Sequence, residues 1–157
     1  MKVATVLAQF NDIRNAVTDA KKALPYFIKE NNGNGEFDVY QALCGLYYEL
    51  GDLENGLLYS KKAVRLAESL TTVKGKFDDV NYPGENEYFK EKRLFHAYYW
   101  IGRFYSLAGD YENAFAYFGK ASNHKWDNRW APLWTAAMGN LNRVTGNYDS
   151  ALVYFDP

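Results

Sequence analysis

"LAGDYENAFAYF", residues 107–118, has close copies in "LGDLENGLLYS" at 50–60 and "TGNYDSALVYF" at 145–155. A fainter version, "FNDIRNAVTDAKKA" at 10–23, aligns with "LGDLENGLLYSKKA" at 50–63 as far as the shared Lys-Lys-Ala. Around the second copy, Tyr40, Leu43, Cys44 and Tyr47 precede the Gly-Asp pair, and Leu53, Gly56, Ser60 and Ala63 follow it. Steps of three and four residues are those of amphipathic helices, so each copy reads as two helices joined by a tight turn.

The phrase has a physical reason at each position. Gly51, Gly109 and Gly146 stand where a helix ends in a left-handed residue, and Asp52, Asp110 or Asn147 then caps the next helix. The small residues Cys44 and Gly102 in the first helices, with Gly56 and Ala114 in the second, are expected at the helix crossing. A larger side chain there would hold the two backbones apart.

With these residues in place the hairpin resembles the tetratricopeptide repeat, a helix pair of about 34 residues. Tyr98, Ile101, Gly102, Tyr105, Gly109, Asp110, Tyr111, Ala114, Phe118 and Ala121 fill nearly every signature position. A second match runs through Tyr40, Leu43, Cys44, Tyr47, Gly51, Asp52, Leu53, Gly56 and Ala63, with Ser60 in place of the usual aromatic. A third contains Met138, Gly139, Gly146, Tyr148, Ala151 and Phe155, with Thr135 and Asn142 where large apolar or aromatic residues are usual. The amino-terminal copy, Ala4, Leu7, Asn11, Asp12, Ile13, Ala16, Ala20 and Ala23, is degenerate. The resemblance implies an all-α fold: a right-handed superhelical stack of about four helical hairpins, an α-solenoid whose outer repeats are degenerate or incomplete.

Gly51 and Gly109 are 58 residues apart and Gly109 and Gly146 are 37 apart, so an insert of about 24 residues is expected before the third repeat. The expected organisation is one helical repeat domain over 1–157, with repeats near 1–30, 37–70, 95–128 and 132–157 and an insert near 71–93. Gly75, Pro83 and Gly84 break any continuous helix in that insert, and the Tyr88, Phe89, Lys92, Phe95, Tyr99 pattern makes the next helix long, starting near 86. The sequence closes at Pro157 within the last repeat's second helix. A homo-oligomer or additional repeats are expected to cover that end.

Composition narrows the function. The chain has 157 residues, 48% of them hydrophobic, and a formal charge of −1, which provides no overall field for nucleic acid. No stretch approaches the roughly 18 apolar residues of a membrane span, and a cytoplasmic location is expected. The two histidines, His96 and His124, have no metal-ligand spacing or phosphate-cradling loop beside them, so no enzyme activity, cofactor or metal is expected. Cys44, the single cysteine, occupies the crossing position and is expected to be buried and inert. The acidic residues of "NYPGENEYF", 81–89, read as a turn and a helix start rather than a cation site.

Aromatic residues make 18% of the chain. Tyr40, Tyr47, Tyr105, Tyr111, Phe118, Tyr148 and Phe155 have core spacing, whereas Trp126, Trp130 and Trp134 crowd the turn between the third and fourth repeats, where one or two are expected to wedge between them. In the tetratricopeptide family the first helix of each repeat lines a concave groove that holds peptide segments, and the resemblance places Gln41 and Tyr48, His96, Tyr99 and Arg103, and Asn140 and Arg143 on it, with Asp38, Glu49 and Ser106 beside them. Amides bond a peptide backbone, aromatics pack its side chains and arginines pair its carboxylates. The lysine, asparagine and arginine clamp of the family's chaperone-tail binders is not reproduced: the matching places hold Gln41, Ala42, Gly45, Tyr99 and Arg103. The expected function is a non-catalytic interaction module for a protein or peptide partner, the sensing or scaffolding part of a regulator. The alternative is a helical accessory domain of an enzyme or transport complex whose chemistry lies elsewhere. A far-ultraviolet circular dichroism spectrum should show helix throughout, and a spectrum dominated by strand would overturn the fold reading.

Overall fold

The computed structural model describes residues 2–69, 85–124 and 131–155, with side chains from Gln9 and, after residues 70–84, from Phe89. Seven helices and no strand occur among the described residues: α1 Lys2–Lys29, α2 Gly33–Leu50, α3 Leu53–Ser69, α4 Glu85–Leu107, α5 Tyr111–Ser122, α6 Ala131–Val144 and α7 Tyr148–Phe155. The chain divides into two compact units, Met1–Tyr82 and Pro83–Pro157, and the division falls inside the expected insert. α4 begins at Glu85, so the last nine residues assigned to that insert, 85–93, are helical.

The repeated phrase folds as one turn three times. Gly51, Gly109 and Gly146 have φ of 67°, 76° and 80°, the left-handed region in which a side chain is strained. The next amide then reaches back across the turn: Asp52 N–H donates to the Tyr47 carbonyl at 2.9 Å, Asp110 to Tyr105 at 3.0 Å and Asn147 to Asn142 at 2.8 Å. This is the Schellman pattern, which satisfies carbonyls that the helix end would leave open. In the first two turns the aspartate also caps the following helix. Asp52 Oδ1 accepts from the Asn55 amide at 3.1 Å, and its other oxygen from the Asn55 side chain at 2.8 Å; Asp110 and Asn113 repeat the arrangement at 3.2 and 2.7 Å.

The degenerate first copy departs from expectation. Residues 2–29 form one continuous helix instead of two helices around Asn11-Asp12, because no glycine stands there to end the first. The break comes twenty residues later at Asn31, whose φ is 51°; Asn32 N–H donates to the Phe27 carbonyl at 2.9 Å, and Asn32 Oδ1 caps Gly35 N at 2.9 Å. Asparagine tolerates the left-handed conformation that glycine supplies elsewhere.

The crossings are set by rings lying on glycines. A Cβ added to Gly102 would meet the Phe118 ring at 2.7 Å, and one added to Gly139 would meet Phe155 at 2.5 Å; Gly35 stands in the same relation to Phe27. Gly102 therefore yields to Phe118, not to the expected Ala114, although Ala114 is fully buried nearby. In the α2–α3 hairpin both partners are small and polar: Cys44 Sγ lies 3.2 Å from Ser60 Oγ, which donates to the Gly56 carbonyl at 2.7 Å.

In the first unit Tyr40, Tyr47 and Tyr59 pack together, Tyr47 and Tyr59 stacked at 5.7 Å. Lys21 of α1 reaches over them, 5.5 and 5.9 Å from the Tyr47 and Tyr59 ring centres, and its pKa is raised, mainly by a hydrogen bond with Tyr47. The tie fixes α1 to the α2–α3 hairpin. In the second unit Phe95, Tyr99, Ala114, Phe118, Ala121 and Leu141 form the core, with Trp134, Ala137 and Met138 of α6 packed on it. Trp134 wedges as expected, its indole N–H donating to the Phe118 carbonyl at 3.1 Å. Trp126 and Trp130 lie outside the described residues. Tyr111 and Tyr148, expected in the core, are 36% and 66% exposed: each opens the helix after a cap, on the side away from its partner helix. Phe155 is 48% exposed, since its ring covers Gly139 from the edge of the unit. Asn142 is buried where an apolar residue is usual, and its side-chain amide donates to the Met138 carbonyl at 2.9 Å.

Gly102→Leu should cost about 1–3 kcal/mol or more in denaturant unfolding, because the fully buried Phe118 ring cannot yield. Gly119→Ala, in the open α5 interior with nothing near its missing Cβ, should stabilise by up to about 1 kcal/mol. Unchanged stability in Gly102→Leu would place the crossing elsewhere.

Candidate functional site

α4 and α6 offer matched surfaces in the second unit. Gly102 and Gly139 share a register position 37 residues apart, so Arg103 and Asn140 occupy equivalent places one residue beyond the crossing, and Arg143 follows Asn140 by one turn. α6 touches both α5 and α4. Asn140 and Arg143 are exposed, whereas Arg103 and His96 are half-buried.

Arg103 is held in place. Its Nη1 donates to the Tyr99 hydroxyl at 2.8 Å, and its guanidinium lies 5.7 Å from the Tyr99 ring centre and 5.9 Å from that of Trp100. The hydrogen bond and the two rings define the plane of the guanidinium. Tyr99 itself is 4% exposed and belongs to the core; its ring packs on Phe95 and Phe118. It is therefore corrected from a groove residue to a buried support whose hydroxyl orients Arg103.

His96 makes an edge contact with Phe95 at 5.8 Å. In the first unit Gln41 and Tyr48 lie two turns apart on α2, both half-buried, with exposed Asp38 and Glu49 on the same helix. The sequence reading missed a second feature of the second unit. Tyr105, Tyr117, Tyr98 and His124 form a ladder of rings at 5.5, 6.2 and 5.6 Å, with the Lys120 ammonium 4.5 Å above Tyr117. His124 Nδ1 lies 3.0 Å from Glu91 Oε2, tying the end of α5 to α4. Its only trace in the sequence is the Tyr98, Tyr105 spacing of seven.

Among the described residues no group of three or more His, Cys, Asp or Glu gathers as a metal site, and no described helix is long and apolar enough to cross a membrane. Cys44 is fully buried, and desolvation pushes its thiol up to about 12, with the Ser60 hydrogen bond acting in the opposite direction.

Residues 95–123, the second half of α4 through α5, match the model of the tetratricopeptide repeat family. The match falls on the α4–α5 hairpin, and the α2–α3 and α6–α7 hairpins, outside it, share its turn. No characterised protein matches the chain significantly in sequence. Repeats of this family suggest a protein–protein interaction module, and the family is generally non-catalytic.

Alkylation of Cys44 at pH 8 should be slow in the folded chain and rapid in denaturant, as measured by mass shift. Because the folded thiol holds its proton above the usual thiol pKa, the thiol's contribution to stability is complete below that value and is lost as pH rises toward about 12. Equal alkylation rates in the two states would show the thiol to be accessible.

Proposed function

We propose that the chain binds an extended, acidic segment of a partner protein along the α4–α6 face of its second unit, with Arg103 as the anchor. The supporting observation is the Tyr99 and Trp100 setting, which presents the Arg103 guanidinium in one orientation. A fixed planar fork suits a carboxylate, which it can hold through two parallel hydrogen bonds. Asn140 and Arg143 extend the same face: the amide can bond a peptide backbone and the second guanidinium can meet a further acidic group. His96 borders it on α4. Gln41 and Tyr48 form a corresponding surface on α2, suited to backbone and ring contacts. The partner-holding habit of tetratricopeptide repeats supports a sensing or scaffolding role in a larger regulatory protein.

Peptides selected from a random display library against the full chain should be rich in Asp and Glu. Arg103→Ala should weaken the selected peptides roughly ten- to a hundredfold, matching a charged hydrogen bond of about 1.5–3 kcal/mol, and Asn140→Ala less. Glu112→Ala, exposed on α5, should change nothing. If Glu112→Ala weakens binding while Arg103→Ala leaves it intact, with both variants folded, the assignment is wrong.

A further inference from the structure

The tyrosine group of the first unit is bordered by cations from two helices. α1 and α3 each pack on α2, and Lys21 of α1 and Lys62 of α3 both reach the ring of Tyr59. Their ammonium nitrogens lie 5.9 and 5.0 Å from its centre, so a single ring gathers two positive charges. Tyr47 and Tyr59 are buried, whereas Lys21 is exposed and Lys62 half-buried. Arg65, three positions beyond Lys62 and exposed, continues the cationic edge along α3.

Two ammonium groups beside one ring repel each other, and among the described residues neither lysine takes part in an ion pair. The adjacent Lys22 differs in this respect, its ammonium lying 3.1 Å from Asp19. Asp52 is near enough to act on Lys21, but both of its oxygens accept from Asn55. The pair therefore suits an anion with more than one charge and several acceptor oxygens. A phosphate monoester has a charge of about −1.5 to −2 at pH 7 and three such oxygens, whereas a carboxylate would neutralise one lysine of the two. An extended polyanion fits less well. Glu54 and Glu68 stand exposed on α3 and Asp19 on α1, so a membrane or a nucleic acid would bring its further phosphates against carboxylates.

We infer that Lys21 and Lys62 form a phosphate site on the first unit, and that its ligand is a phosphorylated side chain of a partner protein. Each lysine donates from a flexible four-carbon stem, so rotation brings both ammoniums onto one phosphate. Tyr59 keeps the two charges near one point, and the phosphate meets both at once; the loss of either should therefore be felt strongly. This site is separate from the Arg103 face and does not depend on it.

The test is a heteronuclear NMR titration of the isotope-labelled full chain with an acetylated, amidated glycine–serine peptide that carries one phosphoserine. Saturable shifts should appear around Lys21, Tyr59 and Lys62 with Kd below about 1 mM, and the unphosphorylated peptide should give none. Lys62→Gln and Lys21→Gln should each weaken binding about tenfold or more with helicity unchanged. Because Lys21 also ties α1 to α2, Lys21→Arg, which keeps the cation, should retain the binding that Lys21→Gln loses. Lys61→Gln removes the same charge from the neighbouring position, which does not share the Tyr59 face, and should change Kd by less than about twofold. Equal losses in Lys61→Gln and Lys62→Gln would reduce the effect to net charge and overturn the site, as would absence of binding at about 1 mM. Shifts confined to residues around Arg103 would move the phosphate to the α4–α6 face and overturn the inference while leaving the proposed function intact. Inorganic phosphate that bound more tightly than the peptide would make the ligand a free ion, and phosphatidic acid vesicles that bound more tightly through the same two lysines would make it a membrane; either result overturns the inference.

Discussion

The hairpins depend on the contact between a ring and a glycine. Phe118 and Phe155 each lie where the Cβ of a facing residue would stand, so each second helix approaches its first more closely than two side chains would permit. Burying the Phe118 ring contributes about 1.5–3 kcal/mol, more than the roughly 1 kcal/mol that a helix interior loses by carrying glycine in place of alanine. The exchange is favourable only if the ring lands on the glycine. The left-handed turn fixes that condition, because it sets their separation at sixteen positions in both hairpins. Turn and crossing are therefore one device: a turn longer or shorter by one residue would rotate the second helix by about 100° and carry the ring off its seat.

The Cys44–Ser60 pair shows the same geometry met by different chemistry. It too is separated by sixteen residues, yet both members are small, and the contact is a hydrogen bond at 3.2 Å in a fully buried setting. The volume lost at Ser60 is made up by the tyrosine group of Tyr40, Tyr47 and Tyr59, whose hydroxyls must then find partners. Tyr40 donates to Glu36 at 2.6 Å, and burial, followed by that bond, raises its pKa beyond the ordinary phenol range. Hydroxyl-bearing rings at the helix surface draw charged residues over them, as Lys21 and Lys62 lie over Tyr59.

The sequence made the hairpins legible because their determinants are local. The Gly-Asp pairs, the Asp-x-x-Asn boxes and the three-and-four spacing all act within a few residues. It made the first copy less legible for the same reason: a degenerate turn differs from a working one by the presence of a residue tolerant of positive φ, and that residue is Asn31, not Asn11. Tyr99 illustrates a different limit. Its spacing from Arg103 correctly joined the two residues, but whether a ring four positions back points outward or supports its neighbour from within depends on α5, through Phe118. Tyr111 and Tyr148 were misread in the opposite sense, since a residue directly after a cap satisfies the apolar pattern without facing the partner helix.

The candidate sites follow from how this fold distributes its imperfections. The α4–α5 repeat buries Phe118 and Tyr99 and half-buries Tyr98 and Tyr105, and beside its crossing Arg103 is oriented by Tyr99, a ring that the core already requires. A repeat that has lost signature residues leaves space in place of contact. At Ala20, the place of Phe118 in the repeat register, that ring is reduced to a methyl group, and the apolar Phe27, Val39 and Ala42 line the space beside it. Under the proposed function the Arg103 face would therefore select a partner by charge and orientation, both set by a core that the repeat needs in any case.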